Sequence, residues 1–153
     1  MRPVLLLAAV AAMWAPATAA AKPTICTEKG IAEVLAAADE DAGAGVGQIE
    51  CGDATGDGSK DAVFTLLSGG TAGPVRVGVV ASDAELVFLD DGYKITVDLV
   101  NGRRFDVQQP VYKSDDANCC PSSFRFTPYR WTGTDFEAGR SKRYTKFKRR
   151  FTP

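Results

Sequence analysis

The spacing of apolar positions changes several times along the chain, and each change marks an element. Ile31, Val34, Leu35 and Ala38 recur at helical intervals behind Thr27, a good N-cap. They predict a helix from about Glu28 to Asp41, ended by Gly43 and Gly45. From Val46 the period falls to two, the signature of strands. Val46 to Cys51 reads as a short strand, and Ala62 to Leu67 as a buried one. Val75, Val77, Val79 and Ala81 alternate, and Glu85 to Leu89 follows. Asp91-Gly92 and Asn101-Gly102 are hairpin signals around Tyr93, Ile95, Val97 and Leu99. Arg103 to Val107 returns, Phe124 to Trp131 is long and aromatic, and Thr132-Gly133-Thr134-Asp135 turns into Phe136. Residues 140–151 fit a last basic strand or a tail. The pattern predicts an α+β fold in which one N-terminal helix packs on a curved antiparallel β-meander of seven to eight strands. A half-open barrel and a flat sheet satisfy it equally.

The N-terminal residues do not join this pattern. Arg2, an apolar run from Val4 to Trp14 and the small residues Pro16 to Ala21 form a secretory signal, expected to be cut after Ala21, with Ala19 and Ala20 as alternatives. The run is too short to span a bilayer, which takes ~20 residues. Residues 22–153 are then one disulfide-stapled domain with a basic C-terminal segment, 140–153. No internal repeat interrupts it, and no other stretch is apolar enough to cross a membrane. The expected location is secreted, periplasmic or cell envelope.

Composition removes several chemistries. There is no histidine, so Ser-His-Asp and Cys-His sites cannot be assembled and the commonest zinc ligand is missing. Carboxylate-only catalysis survives. Four cysteines, Cys26, Cys51, Cys119 and Cys120, suggest two disulfides in an exported chain. Neighbouring side chains in extended backbone point to opposite faces, so Cys119 and Cys120 are each expected to pair with a distant partner. The functional alternative is a strained vicinal redox switch between the two neighbours. Charge is uneven: Lys22 to Phe124 carries 8 basic and 17 acidic residues, whereas Arg125 to Pro153 carries 9 and 2. Such asymmetry suits either an anionic partner or packing of the chain on itself. In the tail, Arg140, Lys142, Arg143, Lys146, Lys148, Arg149 and Arg150 interleave with Tyr144, Phe147 and Phe151. They are candidates for binding an anionic envelope polymer.

Residues 53–61, Asp-Ala-Thr-Gly-Asp-Gly-Ser-Lys-Asp, carry the sharpest local chemistry. Asp53, Thr55, Asp57, Ser59 and Asp61 occupy alternate positions around Gly58, with Ser59 contributing its carbonyl. Oxygen ligands in that order suit a hard cation, and structural calcium is the expected cofactor. Phe64 stands where an EF-hand would need glutamate, so this is not an EF-hand. The loop instead resembles the Asp-x-Asx-x-Asp-Gly-x-x-Asp loops of FG-GAP and integrin-type β-propeller repeats, although Thr55 replaces the usual Asp or Asn. The competing reading is a metal-free turn whose carboxylates cap backbone N–H groups.

A wider likeness joins the signal, Cys51 ahead of Asp53 to Gly58, Asp61-Ala62-Val63, Asp116-Ala117-Asn118-Cys119-Cys120-Pro121-Ser122, and Tyr129-Arg130-Trp131. Together these are similar to the small actinobacterial cell-envelope proteins of the LppP/LprE lipoprotein type. That resemblance implies location more than chemistry, and this chain lacks the lipid-acceptor cysteine. The functional expectation is an exported, non-enzymatic, monomeric domain that binds an envelope component, a ligand or another protein, and no nucleic acid. The alternative is a small carboxylate-based hydrolase of envelope glycans. Asp115 and Asp116 are its candidate carboxylates, although adjacent side chains diverge.

Overall fold

The structure is a computed structural model that describes residues 22–100 and 102–147. Among them are one helix, α1 (Glu28–Ala37), and nine strands: β1 (Val46–Gly52), β2 (Asp61–Leu67), β3 (Pro74–Val80), β4 (Leu86–Asp91), β5 (Thr96–Val100), β6 (Arg104–Val111), β7 (Ser123–Trp131), β8 (Phe136–Ala138) and β9 (Lys142–Tyr144). The expected α+β content is there, but the strands do not form a single meander. They make two antiparallel sheets, ordered β1-β2-β3-β4 and β5-β6-β7-β8, with β9 also paired to β7. Neither sheet closes into a barrel. The predicted signal peptide and Lys148, Arg149 and Arg150 lie outside the described residues. None of the described helices is long and apolar enough to cross a membrane.

The first sheet is buried on both faces, and its central strand shows why it reads as an unbroken apolar run. Val63 of β2, with Val77 and Val79 of β3, points into the layer between the sheets. There it meets Val97, Phe105, Val107, Tyr129 and Phe136. Ala62, Phe64, Leu66 and Val80 point the other way, onto Ile31, Val34 and Leu35 of the helix. The result is three layers: helix, sheet, sheet. Phe64 lies across Gly78, where a side chain would overlap its ring, so glycine is required there.

Helix α1 begins as expected. Thr27 Oγ1 accepts the Gly30 N–H at 3.1 Å and donates to the Thr24 carbonyl at 2.7 Å. It ends four residues before the expected Asp41. Asp39 takes the left-handed position (φ 58°), Glu40 N bonds Leu35 O at 2.9 Å and Asp39 N bonds Ala36 O. This closes the last turn as a Schellman motif, which glycine usually serves and aspartate tolerates. The Asp91-Gly92 hairpin is also corrected. β4 and β5 belong to different sheets, so this segment carries the chain across the sandwich. Gly92 N and Ile95 N instead bond back to Val75 O and Pro74 O on β3. The turns at Gly102 and at Thr132–Asp135 do join paired strands.

Two polar links hold the sheets in register. The β1–β2 ladder shifts between Val46 and Ile49, placing an extra residue in β1. Such a bulge re-aims its side chains. Here the Gln48 N–H bonds Thr65 Oγ1 at 2.9 Å, and the Gln48 amide reaches β5. Its Nε2 donates to the Val97 carbonyl at 2.7 Å, and its Oε1 accepts the Val97 N–H at 3.1 Å. A side chain thus stands in for a neighbouring strand. On the other flank, the Tyr129 hydroxyl of β7 donates to Asp90 Oδ2 of β4 at 2.8 Å. Burial, with the Asp90 carboxylate beside it, pushes the Tyr129 hydroxyl up to about 12.

Replacing Gln48 by alanine strands both polar groups of the buried Val97 backbone, and unsatisfied buried groups cost ~1–3 kcal/mol each. Urea denaturation of Gln48→Ala should show a loss of about 2–4 kcal/mol. A change below about 0.5 kcal/mol would show that the amide bridge does not tie the sheets.

Candidate functional site

The antiparallel order sends every odd-to-even hairpin to the same end of the sandwich. The β1–β2 loop (53–60), the β3–β4 turn (81–85), the β5–β6 turn at Gly102-Arg103 and the β7–β8 turn (132–135) therefore gather there. Loops carried by a rigid sandwich are common places for binding sites. Between them lies a cleft of about 580 Å³, within the ordinary range for a small-molecule site. Its walls include Asp57, Ser82, Asp83, Glu85, Arg103 and Trp131.

The Asp loop forms one wall, and its carboxylates have separate tasks. Asp61 is fully buried at the start of β2. Its Oδ2 accepts the Ala54 and Thr55 N–H groups, both at 2.8 Å, and the Thr55 hydroxyl at 3.0 Å. Its Oδ1 accepts the Ser82 N–H at 2.9 Å. One carboxylate thus pins the β1–β2 loop to the β3–β4 turn. Asp53 accepts the N–H groups of Gly56 and Gly58. Asp57, exposed at the tip, accepts the Ser59 N–H at 2.6 Å and the Ser82 hydroxyl at 3.1 Å. Ser59 is exposed beside it. These are the bonds of an Asx-rich turn. Among the described residues, no group of three or more His, Cys, Asp or Glu side chains is placed to hold one metal ion.

Arg103 joins the second sheet to this loop. It has a left-handed backbone (φ 62°) at the hairpin tip, and its side chain lies across Gly56. Gly56 itself is left-handed (φ 77°), and a side chain there would overlap Arg103. Both conditions demand glycine. Trp131 supplies the aromatic wall. Its ring packs 5.0 Å from Phe136, and Phe136 packs against Phe88 and Phe105. Phe105 and Tyr129 stack with their planes 3° apart. The tryptophan is half-buried, held by the core on one side and facing the cleft on the other.

The far end of the sandwich carries the β6–β7 loop and a correction to the cysteine pairing. The bonds join Cys26 to Cys51 and Cys119 to Cys120. Cys26 precedes the helix and Cys51 lies on β1, so that bridge straps the helix to the first sheet. It leaves no distant partner for the neighbouring pair, which sits in a turn rather than in extended backbone. Lys94 Nζ donates to Asn118 O (2.7 Å), Asn118 Oδ1 (2.8 Å) and Tyr112 Oη (3.1 Å). The Tyr93 and Tyr112 hydroxyls also bond Asn118. The Tyr112 hydrogen bond pushes the Lys94 ammonium up from its ordinary value. Asp116 accepts the Ser122 hydroxyl and the N–H groups of Lys113 and Ser122, and these donors hold its carboxyl below the usual range. Donors that favour the ionised form suit a loop brace and oppose the general-acid role an Asp115–Asp116 hydrolase would need.

The basic tail is partly described. Lys142 and Arg143 lie on β9, with Arg140 and Lys146 on either side, and all four are exposed. Arg143 stands directly opposite Arg125 of β7. Sequence reasoning singled out the Asp loop and the tail. It missed Arg103, Ser82, Asp83 and Glu85, whose only signal was their place in turns. It noticed Trp131 only as part of a strand and of the Tyr129-Arg130-Trp131 likeness, not as a cleft wall. Comparison with protein-family models, curated proteins and solved structures finds no match to this chain.

Asp61→Ala leaves three buried donors without an acceptor and should cost about 3 kcal/mol or more, whereas Asp57→Ala at the exposed tip should cost under about 1 kcal/mol. Thermal or urea melts of the two variants check this ordering. Equal losses would mean that Asp61 is no pin.

Proposed function

We propose that this protein is an exported, non-catalytic binding domain of the cell envelope, and that its ligand lies in the cleft between the Asp loop and Trp131. The secretion signal and the likeness to LppP/LprE-type envelope proteins support the location. The cleft supports the activity, and the observation that carries it is the placement of Trp131. A large aromatic face, fixed from behind by the core, stands among short polar side chains of both charge signs. One arginine against Asp57, Asp83 and Glu85 does not suit a polyanion. An aromatic plane with polar groups around it suits a polyhydroxylated ligand, whose apolar ring faces stack while its hydroxyls donate and accept. A neutral envelope glycan has that chemistry. The hydrolase alternative rests on Asp115 and Asp116, which lie on the β6–β7 loop at the other end of the sandwich.

A separate observation favours anionic envelope polymer at the tail. Like charges directly opposite on a strand pair, as at Arg143 and Arg125, are destabilising unless an anion lies between them. Structural calcium belongs to this proposal through Asp53 and the exposed Asp57, since Asp61 is fully buried among the turn's own donors.

After the signal segment Trp131 is the only tryptophan, so its fluorescence reports the cleft alone. Soluble fragments of envelope glycan should shift that emission, and Trp131→Ala should weaken calorimetric binding about tenfold or more, the scale of one lost aromatic contact. Unchanged affinity would reject the cleft, and release of reducing ends would favour the hydrolase. Calorimetry with calcium chloride settles the ion: heat that disappears in Asp57→Ala supports it, and a flat titration of the unmutated protein removes it.

A further inference from the structure

The two disulfides do unequal mechanical work. Cys26–Cys51 spans 25 residues and fastens the helix to β1. A cross-link of that length restricts the unfolded chain considerably. Cys119–Cys120 joins residues one apart, so it closes no loop beyond its own ring and connects no two elements. The loop that holds it is also braced without it. Asn118, on one side, is held by Lys94, Tyr93 and Tyr112; Ser122, on the other, is held by Asp116. Cys120 N bonds Ala117 O at 2.9 Å. A bond that joins no two elements, in a loop already held by hydrogen bonds on both sides, has little structural work left to do.

Its surroundings favour chemistry instead. Both cysteines are exposed. Cys119 lies in the wall of a groove of about 260 Å³, beside Tyr112, Pro121 and Phe124, open to a small thiol. The Lys94 ammonium rests on the carbonyl of Asn118, the residue before Cys119. Lys94 and Cys119 line the same groove, and a positive charge there favours the Cys119 thiolate that the second displacement releases.

We propose that Cys119–Cys120 is a thiol–disulfide exchange site, reduced by an exported or small-molecule dithiol and independent of the glycan cleft. One thiolate of the dithiol attacks the Cys119 sulfur. The Cys119–Cys120 bond breaks, a mixed disulfide forms, and Cys120 leaves as a thiolate. The second thiol of the reductant then displaces Cys119 and closes the reductant's own disulfide. Two electrons and two protons pass to the protein, which ends with two thiols, and the dithiol ends oxidised. Reoxidation reverses the same steps.

The test titrates the exported, oxidised protein with dithiothreitol, blocks free thiols with iodoacetamide and maps them by peptide mass spectrometry. Cys119 and Cys120 should be alkylated at a reductant concentration at least about tenfold below that needed for Cys26 and Cys51. The selectively reduced protein should keep the melting temperature of the oxidised one. Reduction of both bridges together overturns the proposal. So does a melting temperature that falls on selective reduction, because the bond would then be structural. Free thiols at 119 and 120 before any reductant is added also overturn it.

Discussion

Everything in this fold depends on how the first sheet meets the second, and of the two polar links at that junction the Gln48 amide is the one that reaches backbone. Two stacked sheets share apolar area, but apolar area has no direction and would tolerate sliding. Gln48 supplies the direction. Its amide donates an N–H to the Val97 carbonyl and accepts the Val97 N–H on its oxygen, the pairing a neighbouring strand would make. The amide reaches β5 because the β1 bulge turns it outward, and the bulge is tolerable because Thr65 takes the displaced N–H. Gly52 extends the close approach, since Leu99 occupies the space a side chain would need. Glycine, threonine and glutamine, none of them typical strand-core residues, thus fix the register of two hydrophobic layers.

With the register fixed, the hairpins of both sheets end together, and that makes the cleft. Arg103 comes from the second sheet and lies on Gly56 of the first. Asp61 ties the β1–β2 loop to the turn at Ser82 within the first sheet. The aromatic stack of Phe88, Phe105, Tyr129 and Phe136 runs from the core to Trp131, so the large aromatic face of the cleft continues the core packing rather than hanging from a loop. A cleft built this way is preorganised, so occupying it would cost little conformational entropy.

Much of the local structure was legible in the sequence, because local structure follows local period and turn chemistry. The helical spacing of Ile31, Val34 and Leu35, the alternation in β3 and β5 and the turns at Gly102 and Gly133 all appear where the pattern puts them. The division into two sheets was not legible. Asp91-Gly92 carries a hairpin signature, yet the segment crosses between sheets, and nothing local distinguishes the two uses. What distinguishes them is the burial of Ile95 and Val97 opposite Val77 and Val79, a contact between layers. The cysteine pairing was missed for a related reason. The argument that neighbouring side chains diverge holds for extended backbone, and Cys119 and Cys120 lie in a turn. Arg103 and Trp131 were invisible as partners because their meeting depends on the sheet register.

The Asp53–Asp61 loop shows how one pattern of oxygens can serve two ends. A cation loop and an Asx-rich turn both need carboxylates at alternate positions around a glycine. The difference is what faces the oxygens. Here Asp61 is fully buried, and burial selects fixed donors over a hydrated ion that must shed its water. Thr55, where the propeller-type loops carry a fourth Asp or Asn, donates a hydroxyl to Asp61 and so works with the turn rather than against it. Arg103 lies across Gly56 and brings a permanent positive charge to a loop rich in carboxylates. The same residue lines the cleft. The loop's electrostatics and those of the cleft are therefore coupled through one guanidinium, and any molecule that engages Arg103 there would share it with the Asp loop.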